Sequence, residues 1–355
     1  MQRNHNRSSE YNVPTSGPAK AVDALLSNVL ENIRLQGAVF FGWQPSWPYA
    51  TGVPNERHFR ELILPTSDQV ISYHIVLEGP CWATVEGEQP VRLEGGDILL
   101  IPHGDAYIIS DQPREPSDGD IGPAREFFSL MAAGGLPLVI ENGGNGPGRN
   151  QLVCGFLGCD RHPVNPLLEG LPSYIVLSRS ALEGPINDLV DIVLRECRHP
   201  QVGSQSMMLR LGEVLFIEVI RQYVQQRDLI NNPWIRGLSD PLVARSLSLL
   251  HGRIADAWTL EKLASEVNCS RSVLAERFSR VIGVPPMKYL SLWRLQVAAR
   301  LLRDRQDKIL SIALSVGYES ETSFSRAFKR AMGRSPSEFR RSVQPVITDR
   351  KNGST

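Results

Sequence analysis

Between residues 71 and 133 the apolar positions come in short runs: "ISYHIVLEG", "CWATVEG", "VRLEGGDILLIPHGDAYIISD" and "EFFSLMAA". Gly, Pro and Asp punctuate them at turn spacing, which predicts short strands of a β-sandwich or small barrel. Two stretches, "QPREPSDGDIGPA" and "ENGGNGPGRN", carry no periodicity and are expected to be mobile surface excursions. From about residue 185 the period becomes helical. In "SQSMMLRLGEVLFIEVIRQYVQQ", Met208, Leu211, Leu215, Val219 and Tyr223 recur every three or four residues, and Leu209, Phe216 and Ile220 widen the stripe. So broad an apolar face needs cover on two sides. The β region can supply one, and a second copy of the chain, making a homodimer, the other. A short amphipathic helix is expected from about 22 to 35, a disordered tail over 1–20, and a linker in "DLINNPWIRGLSDP".

The last third of the chain repeats itself. Ser270, Leu274, Phe278, Gly283, Pro286 and Tyr289 return fifty residues later as Ser320, Phe324, Phe328, Gly333, Pro336 and Phe339. A short apolar-faced segment precedes each copy, carrying Leu260, Leu263, Ala264 and Val267 in one, and Ile309, Ile312, Ala313 and Val316 in the other. Each unit therefore predicts helix, tight turn, helix. Ser270 and Ser320 are placed as N-caps, and Gly317 supplies a permissive turn. A second helix pinned by two apolar anchors and polar at its outer N-terminal turn is the arrangement that enters a DNA major groove. "PPMKYLSLWRLQVAARLLRD" joins the units as one longer helix, with Leu290, Trp293, Val297 and Leu301 on one face. It would hold the two probes at a fixed separation, about 34 Å for successive major grooves on one face of B-DNA.

Charge supports that partner. The 355 residues are neutral overall, yet residues 1–239 hold 18 Lys+Arg against 27 Asp+Glu, while residues 240–345 hold 18 against 10. The basic C-terminal block is an electrostatic footprint for a polyanion. Apolar content of 42% and charged content of 21% are ordinary for a globular chain of two or three domains. With no apolar run of membrane-spanning length and no signal-peptide core, a cytoplasmic protein without a membrane partner is expected. Five cysteines do not make a secreted disulfide framework.

Residues 240–345 closely resemble the AraC/XylS DNA-binding domain, through "WTLEKLASEVNCSRSVLAERFSRVIGVPPMKYLSLWRLQVAARLL" and "ILSIALSVGYESETSFSRAFKRAMGRSPSEFR". The resemblance implies a transcription regulator, such as an activator, bound to promoter DNA and in contact with RNA polymerase. It places base-facing positions at Arg271, Ser272, Ala275 and Glu276 in the first unit, and at Glu321, Thr322, Ser323 and Arg326 in the second. Arg can pair bidentately with guanine, Ser and Thr adapt to any base edge, Glu can accept from cytosine, and Ala can touch only a thymine methyl. Lys288, Lys329, Arg330 and Arg340 are assigned to phosphates, or to solvent.

Upstream, "GGDILLIPHGDAYIISD" resembles the second cupin motif, with Gly96, five residues, Pro102, one residue and Gly104. After two further residues metal-binding cupins have a histidine where this chain has Tyr107, and in the first motif only His74 and Glu78 occupy plausible ligand positions. The metal set is incomplete, so no metal or other cofactor is assigned. The fold expected is multidomain α+β: a cupin-like β-barrel or sandwich, then helices, then an all-α double helix-turn-helix. Its parts are a tail (1–20), a sensory domain (21–182), a helical dimerisation segment (183–239), the DNA-binding domain (240–345) and a second tail (346–355). The barrel mouth could hold a small-molecule effector against His74, Trp82, His103 and Tyr107, or those residues are only core and rim. Cys154 and Cys159, with His162 close by, allow a redox switch or structural zinc, against the commoner inert buried thiol. Two rival readings are a cupin metalloenzyme tethered to DNA and an architectural DNA-binding protein without sensing.

Overall fold

The computed structural model describes residues 18–33, 35–115, 122–160, 165–181, 184–199, 201–225 and 232–343. Helix α1 (Pro18–Glu31) leads into strands β1 (Leu35–Ser46), β2 (Ala50–Val53), β3 (Gln69–Glu78), β4 (Cys81–Val85), β5 (Val91–Leu93), β6 (Ile98–Ile101), β7 (Tyr107–Ser110), β8 (Val139–Gly143), β9 (Gln151–Cys159) and β10 (Ile175–Leu177). Short helices α2 (Arg60–Ile63), α3 (Gly122–Ala132) and α4 (Pro166–Glu169) interrupt them. The strands form two sheets, one ordered β10-β6-β3-β9-β1-β8 and the other β2-β7-β4-β5.

β3 explains why the N-terminal apolar runs do not alternate strictly. Val70 and Val76 face the space between the sheets, whereas Ile71, Tyr73 and Ile75 face helices outside. Both faces are covered, so both parities are apolar. Tyr73 lies opposite Gly155 of β9, where a Cβ would come within 2.1 Å of the phenol ring. The helices over that face are α5 (Pro185–Arg198) and α6 (Ser204–Gln225). α6 turns Met208, Leu215, Phe216, Val219 and Ile220 inward and leaves Met207, Val214 and Ile217 exposed.

Four local expectations are corrected. "EFFSLMAA" is not a strand but falls largely within α3. Ala124, Phe127, Phe128 and Met131 recur there at helical spacing and pack on the inter-sheet core, with Phe128 stacked on Phe59 at 4.0 Å. "ENGGNGPGRN" is no excursion, because it closes around Trp47. Gly146 N–H donates to Trp47 O at 2.7 Å and the indole N–H donates to Asn150 Oδ1 at 2.6 Å, while a Cβ on Gly148 would strike the ring at 2.4 Å. The linker expected before residue 240 contains helix α7 (Pro233–Ser239), capped by Asn232 through Ile235 N–H at 3.0 Å. Trp234 is 1% exposed and donates to Tyr289 Oη at 3.0 Å, so this helix belongs to the C-terminal body. Helix α1 begins at Pro18, so it takes in residues 18–20 of the tail expected over 1–20 and ends at Glu31, earlier than the helix expected to about 35; the rest of that tail, the second tail, most of the middle of "QPREPSDGDIGPA" and the start of the linker lie outside the described residues.

The C-terminal body continues with α8 (Pro241–Gly252), α9 (Leu260–Glu266), α10 (Arg271–Ile282), α11 (Pro286–Asp304), α12 (Ile309–Ser315), α13 (Glu321–Met332) and α14 (Pro336–Val343). The sequence repeat is a structural repeat: helices of 7 and then 12 residues in each unit. Ser270 and Ser320 cap α10 and α13, and Gly283 and Gly333 end them in the left-handed region. Gly317 turns at φ +84°, as its place between α12 and α13 requires. The first unit's core is continuous with the helix-covered face of the larger sheet, whereas the second unit closes a core of its own. Among the described residues no helix is long and apolar enough to cross a membrane.

Candidate nucleic-acid interface and barrel cavity

In α10, Leu274 and Phe278 are fully buried and orient the helix; Arg271, Ser272 and Glu276 are exposed on its other side, and Ala275 is only half-buried at the flank. Two of these side chains are already engaged. Arg271 Nη1 lies 2.6 Å from Glu261 Oε1, a contact that holds the Glu261 carboxyl below its usual range, and Glu276 pairs with Arg280. α13 differs. Phe324 and Phe328 anchor it, Glu321, Thr322, Ser323 and Arg326 are exposed, and Arg326 makes no ion pair among the described residues. Ser323 is spent on the cap: its N–H donates to Ser320 Oγ at 3.2 Å and its hydroxyl to Ser320 O at 2.9 Å.

Of the residues assigned to phosphates, Lys288, Lys329 and Arg330 are exposed. Arg340 is half-buried and donates from Nη2 to Asp307 O at 2.7 Å, which ties α14 to the turn after α11. Three exposed residues of α10 were not foreseen, Val273, Arg277 and Arg280. Val273 is 48% exposed, in the turn that also carries Ser272 and Glu276. The signal was present in the repeat, which places Val273 fifty residues before Ser323.

α11 connects more than the two units. Gln296 Nε2 donates to Asn32 O at 3.1 Å, Arg300 lies 3.9 Å from Glu31, and Arg303 pairs with Asp160. These three residues form one stripe at spacings of four and three, facing the N-terminal domain. Above them Trp234 N–H donates to Tyr289 Oη, whose hydroxyl lies 2.8 Å from His251 Nε2, and His251 Nδ1 lies 3.3 Å from Asn28 Oδ1. Burial pushes the His251 pKa down to about 3, leaving a neutral ring stacked on Trp293 at 4.1 Å.

Between the two sheets lies a cavity of about 1230 Å³. Phe41, Trp43, Phe127, Phe128, Ile140 and Phe156 give it aromatic and aliphatic walls; Arg57, His58, Glu86, Arg114 and Glu115 give it polar edges. His74, Tyr107 and Cys154 line it too, with His74 Nε2 2.7 Å from Tyr107 Oη. Of the four residues expected at an effector pocket, the fold thus unites His74 and Tyr107 and separates the other two. Trp82 has the opposite strand parity from Cys81 and Ala83, which join the inter-sheet core, and His103 Nε2 contacts Leu171 O at 2.9 Å. Neither lines the cavity.

Cys154 and Cys159 do not form a switch pair. Five residues apart on β9, they point to opposite faces, Cys154 into the inter-sheet core and Cys159 under the helices. Burial pushes the Cys154 thiol well above its usual pKa, the reverse of what a reactive thiolate needs. His162 lies outside the described residues, among which no group of three His, Cys, Asp or Glu side chains is arranged to hold a metal.

Burial also pushes the His74 pKa down to about 3. Folded rings that stay neutral while unfolded ones protonate make a defined pH dependence. The contribution of His74 and His251 is complete above the ordinary histidine pKa and falls as pH drops from about 6.5 toward 3, by roughly 1.4 kcal/mol per unit for each ring. Urea unfolding at about pH 7 and about pH 5.5 should show the acid loss, and His251→Gln should remove about half of it. An unchanged pH dependence in the variant would contradict the neutral buried ring.

Residues 24–225 match the cupin family, and residues 263–342 match the helix-turn-helix domain family. A putative AraC-like transcription regulator of Streptomyces antibioticus is 32% identical over 280 residues, covering 78% of this chain and 89% of that protein. The HTH-type transcriptional regulator AlkR of Acinetobacter baylyi is 32% identical over 270 residues, covering 75% of this chain and 86% of its own length. Among solved structures, the C-terminal domain of AraT, a response regulator from Geobacillus stearothermophilus, is 32% identical and covers 32% of this chain and 96% of its own, at a TM-score of 0.30.

Proposed function

This chain belongs to the AraC-like transcription regulators with an N-terminal cupin domain, DNA-binding proteins by family, and we propose that it is a small-molecule-responsive regulator whose barrel cavity sets the disposition of its two helix-turn-helix units. The observation that carries the reading is the stripe on α11: the helix that spaces α10 and α13 is the same helix that bonds the sensor domain. An effector seated between the sheets would move β9 and α1 against that stripe, and could shift the population of DNA-binding arrangements only by as much as it binds them unequally. With aromatic and aliphatic walls and charged edges, the cavity suits a largely apolar molecule with polar groups toward Arg57 and Arg114.

The exposed Met207, Val214 and Ile217 of α6 favour a homodimer through that helix, with operator half-sites to match. Location in the cytoplasm and a contact with RNA polymerase at an activated promoter complete the proposal. In α13 the free guanidinium of Arg326, beside Thr322, is the principal base reader, and Lys329 and Arg330 meet phosphate.

Selection of sheared genomic fragments on the full-length protein tests this. Recovered promoter regions should share a motif with two elements about 34 Å apart, one helical turn. Arg326→Ala should weaken binding to that motif roughly tenfold to a hundredfold while leaving unrelated DNA unaffected. Equal weakening on all DNA would overturn direct readout and favour an architectural role.

A further inference from the structure

Val273 is a large apolar side chain left exposed on the helix predicted to enter the groove, as Leu310 and Leu314 are on α12. It is 48% exposed, on a helix held against the core by Leu274 and Phe278 of the opposite face. Its neighbours along the helix surface are the exposed Glu276, Arg277 and Arg280, at spacings of three, four and seven residues, with Arg277 paired to Asp240 at 2.7 Å. A β-branched side chain has no advantage there. It lowers helix propensity, and its methyl groups remain hydrated unless a partner covers them. No described residue does so, since the helices packed on α10, namely α7, α8, α9 and α11, lie on its buried side.

The repeat says which partner would. Translating by fifty residues superposes Val273 on Ser323, the third residue of α13, and Glu276 on Arg326. If α13 presents its outer face to base edges, the equivalent face of α10 includes Val273 and not Ala275, which is half-buried at the flank. The polar readers on this face are also engaged. Arg271 pairs with Glu261 and Glu276 with Arg280, so each gives up an exposed ion pair, a small cost in water, before it meets a base.

We propose that Val273 is a specificity-determining residue of the first unit and reads the C5-methyl group of a thymine by apolar contact in the major groove. The thymine methyl is the one apolar group that base pairs present there. The two units then read DNA by different chemistry: hydrogen bonds from α13 and methyl packing from α10. This rests on the reading of α10 as a groove-inserted helix, and the test separates the two.

The probe is the motif recovered by selection, resynthesised with each thymine in turn replaced by deoxyuridine, which lacks only the methyl. For the full-length protein, one replacement within the α10 half of the motif should weaken binding roughly three- to fivefold, the worth of about one buried methyl group. Val273→Ala, whose single methyl reaches less far, should narrow the difference between thymine and uracil at that position, and a 5-methylcytosine–guanine pair in place of the thymine–adenine pair should retain more of the affinity for wild type than for the variant. Val273→Glu is the control. If it abolishes binding while no uracil replacement matters to wild type, α10 is in the groove but Val273 does not read a methyl, and the proposal fails. If Val273→Glu binds as wild type, α10 is not in the groove and the underlying reading fails as well. Circular dichroism of each variant should match wild type, because the side chain is outside the core.

Discussion

Replacing Phe328 by alanine is expected to unfold the second helix-turn-helix unit while the rest of the chain remains folded. Phe328 is fully buried and meets Phe324 and Phe339 at ring separations of 5.5 and 5.4 Å. Truncation of such a side chain costs about 3–5 kcal/mol, comparable to what a small isolated core can lose. That core is separate: Leu295, Ala298, Ala299 and Leu302 of α11 pack with Ile312, Ala313, Val316 and the three phenylalanines, apart from the larger cluster. The equivalent Phe278 belongs to the cluster that also holds β3, α6 and α7. Hydrogen exchange read by mass spectrometry should show α12–α14 losing protection in Phe328→Ala while α9 and α10 keep theirs. Phe278→Ala should instead lower protection across the sensor helices too. Uniform loss of protection in Phe328→Ala would show that the two cores unfold as one.

The second large effect concerns the contact between domains. Arg303 and Asp160 form an ion pair with side chains only 5% and 13% exposed, and the Arg303 guanidinium also lies 5.8 Å from the Phe339 ring. One residue therefore touches the end of β9 and the core of the second unit. Removing one partner of a buried pair leaves the other charge desolvated and costs about 3–5 kcal/mol, whereas replacing both by apolar groups of similar size is near neutral or stabilising. Asp160→Ala should lower the urea midpoint sharply, and Asp160→Leu with Arg303→Met should restore it. The double variant should still bind its promoter yet respond less to effector, because α11 has lost its firmest polar tie to the barrel. A double variant that remains fully responsive would place the coupling elsewhere along α11 or α1.

Much of this molecule was legible in one dimension. Ser270, Gly283, Ser320, Gly317 and Gly333 occupy the caps and turns their residue types predict, because capping is a contact between near neighbours in the chain. Strand parity was less legible where both faces are buried, as in β3, since apolar residues at every position hide the alternation. Trp82 was misplaced for that reason: its side of β4 depends on which sheet face covers the core. "EFFSLMAA" read as a strand because adjacent phenylalanines suit either period in so short a run, and only packing against Phe41 and Phe59 selects the helix. The Gly-rich stretch around residue 146 gave no hint of its role, since its partner, Trp47, lies about a hundred residues earlier.

By itself the sequence determined that two helix-turn-helix units are repeated, capped, basic and joined by one helix, because those properties reside in spacings of a few residues and in a fifty-residue repeat. Tertiary structure alone decided that His74 and Tyr107 share a cavity, and that α11 is bonded to the sensor through Gln296, Arg300 and Arg303. Each of these depends on strand register or on helices docking across more than a hundred residues of chain. Local propensity carries no information about such pairings; they are selected by burial of whole faces, which only the folded chain brings together.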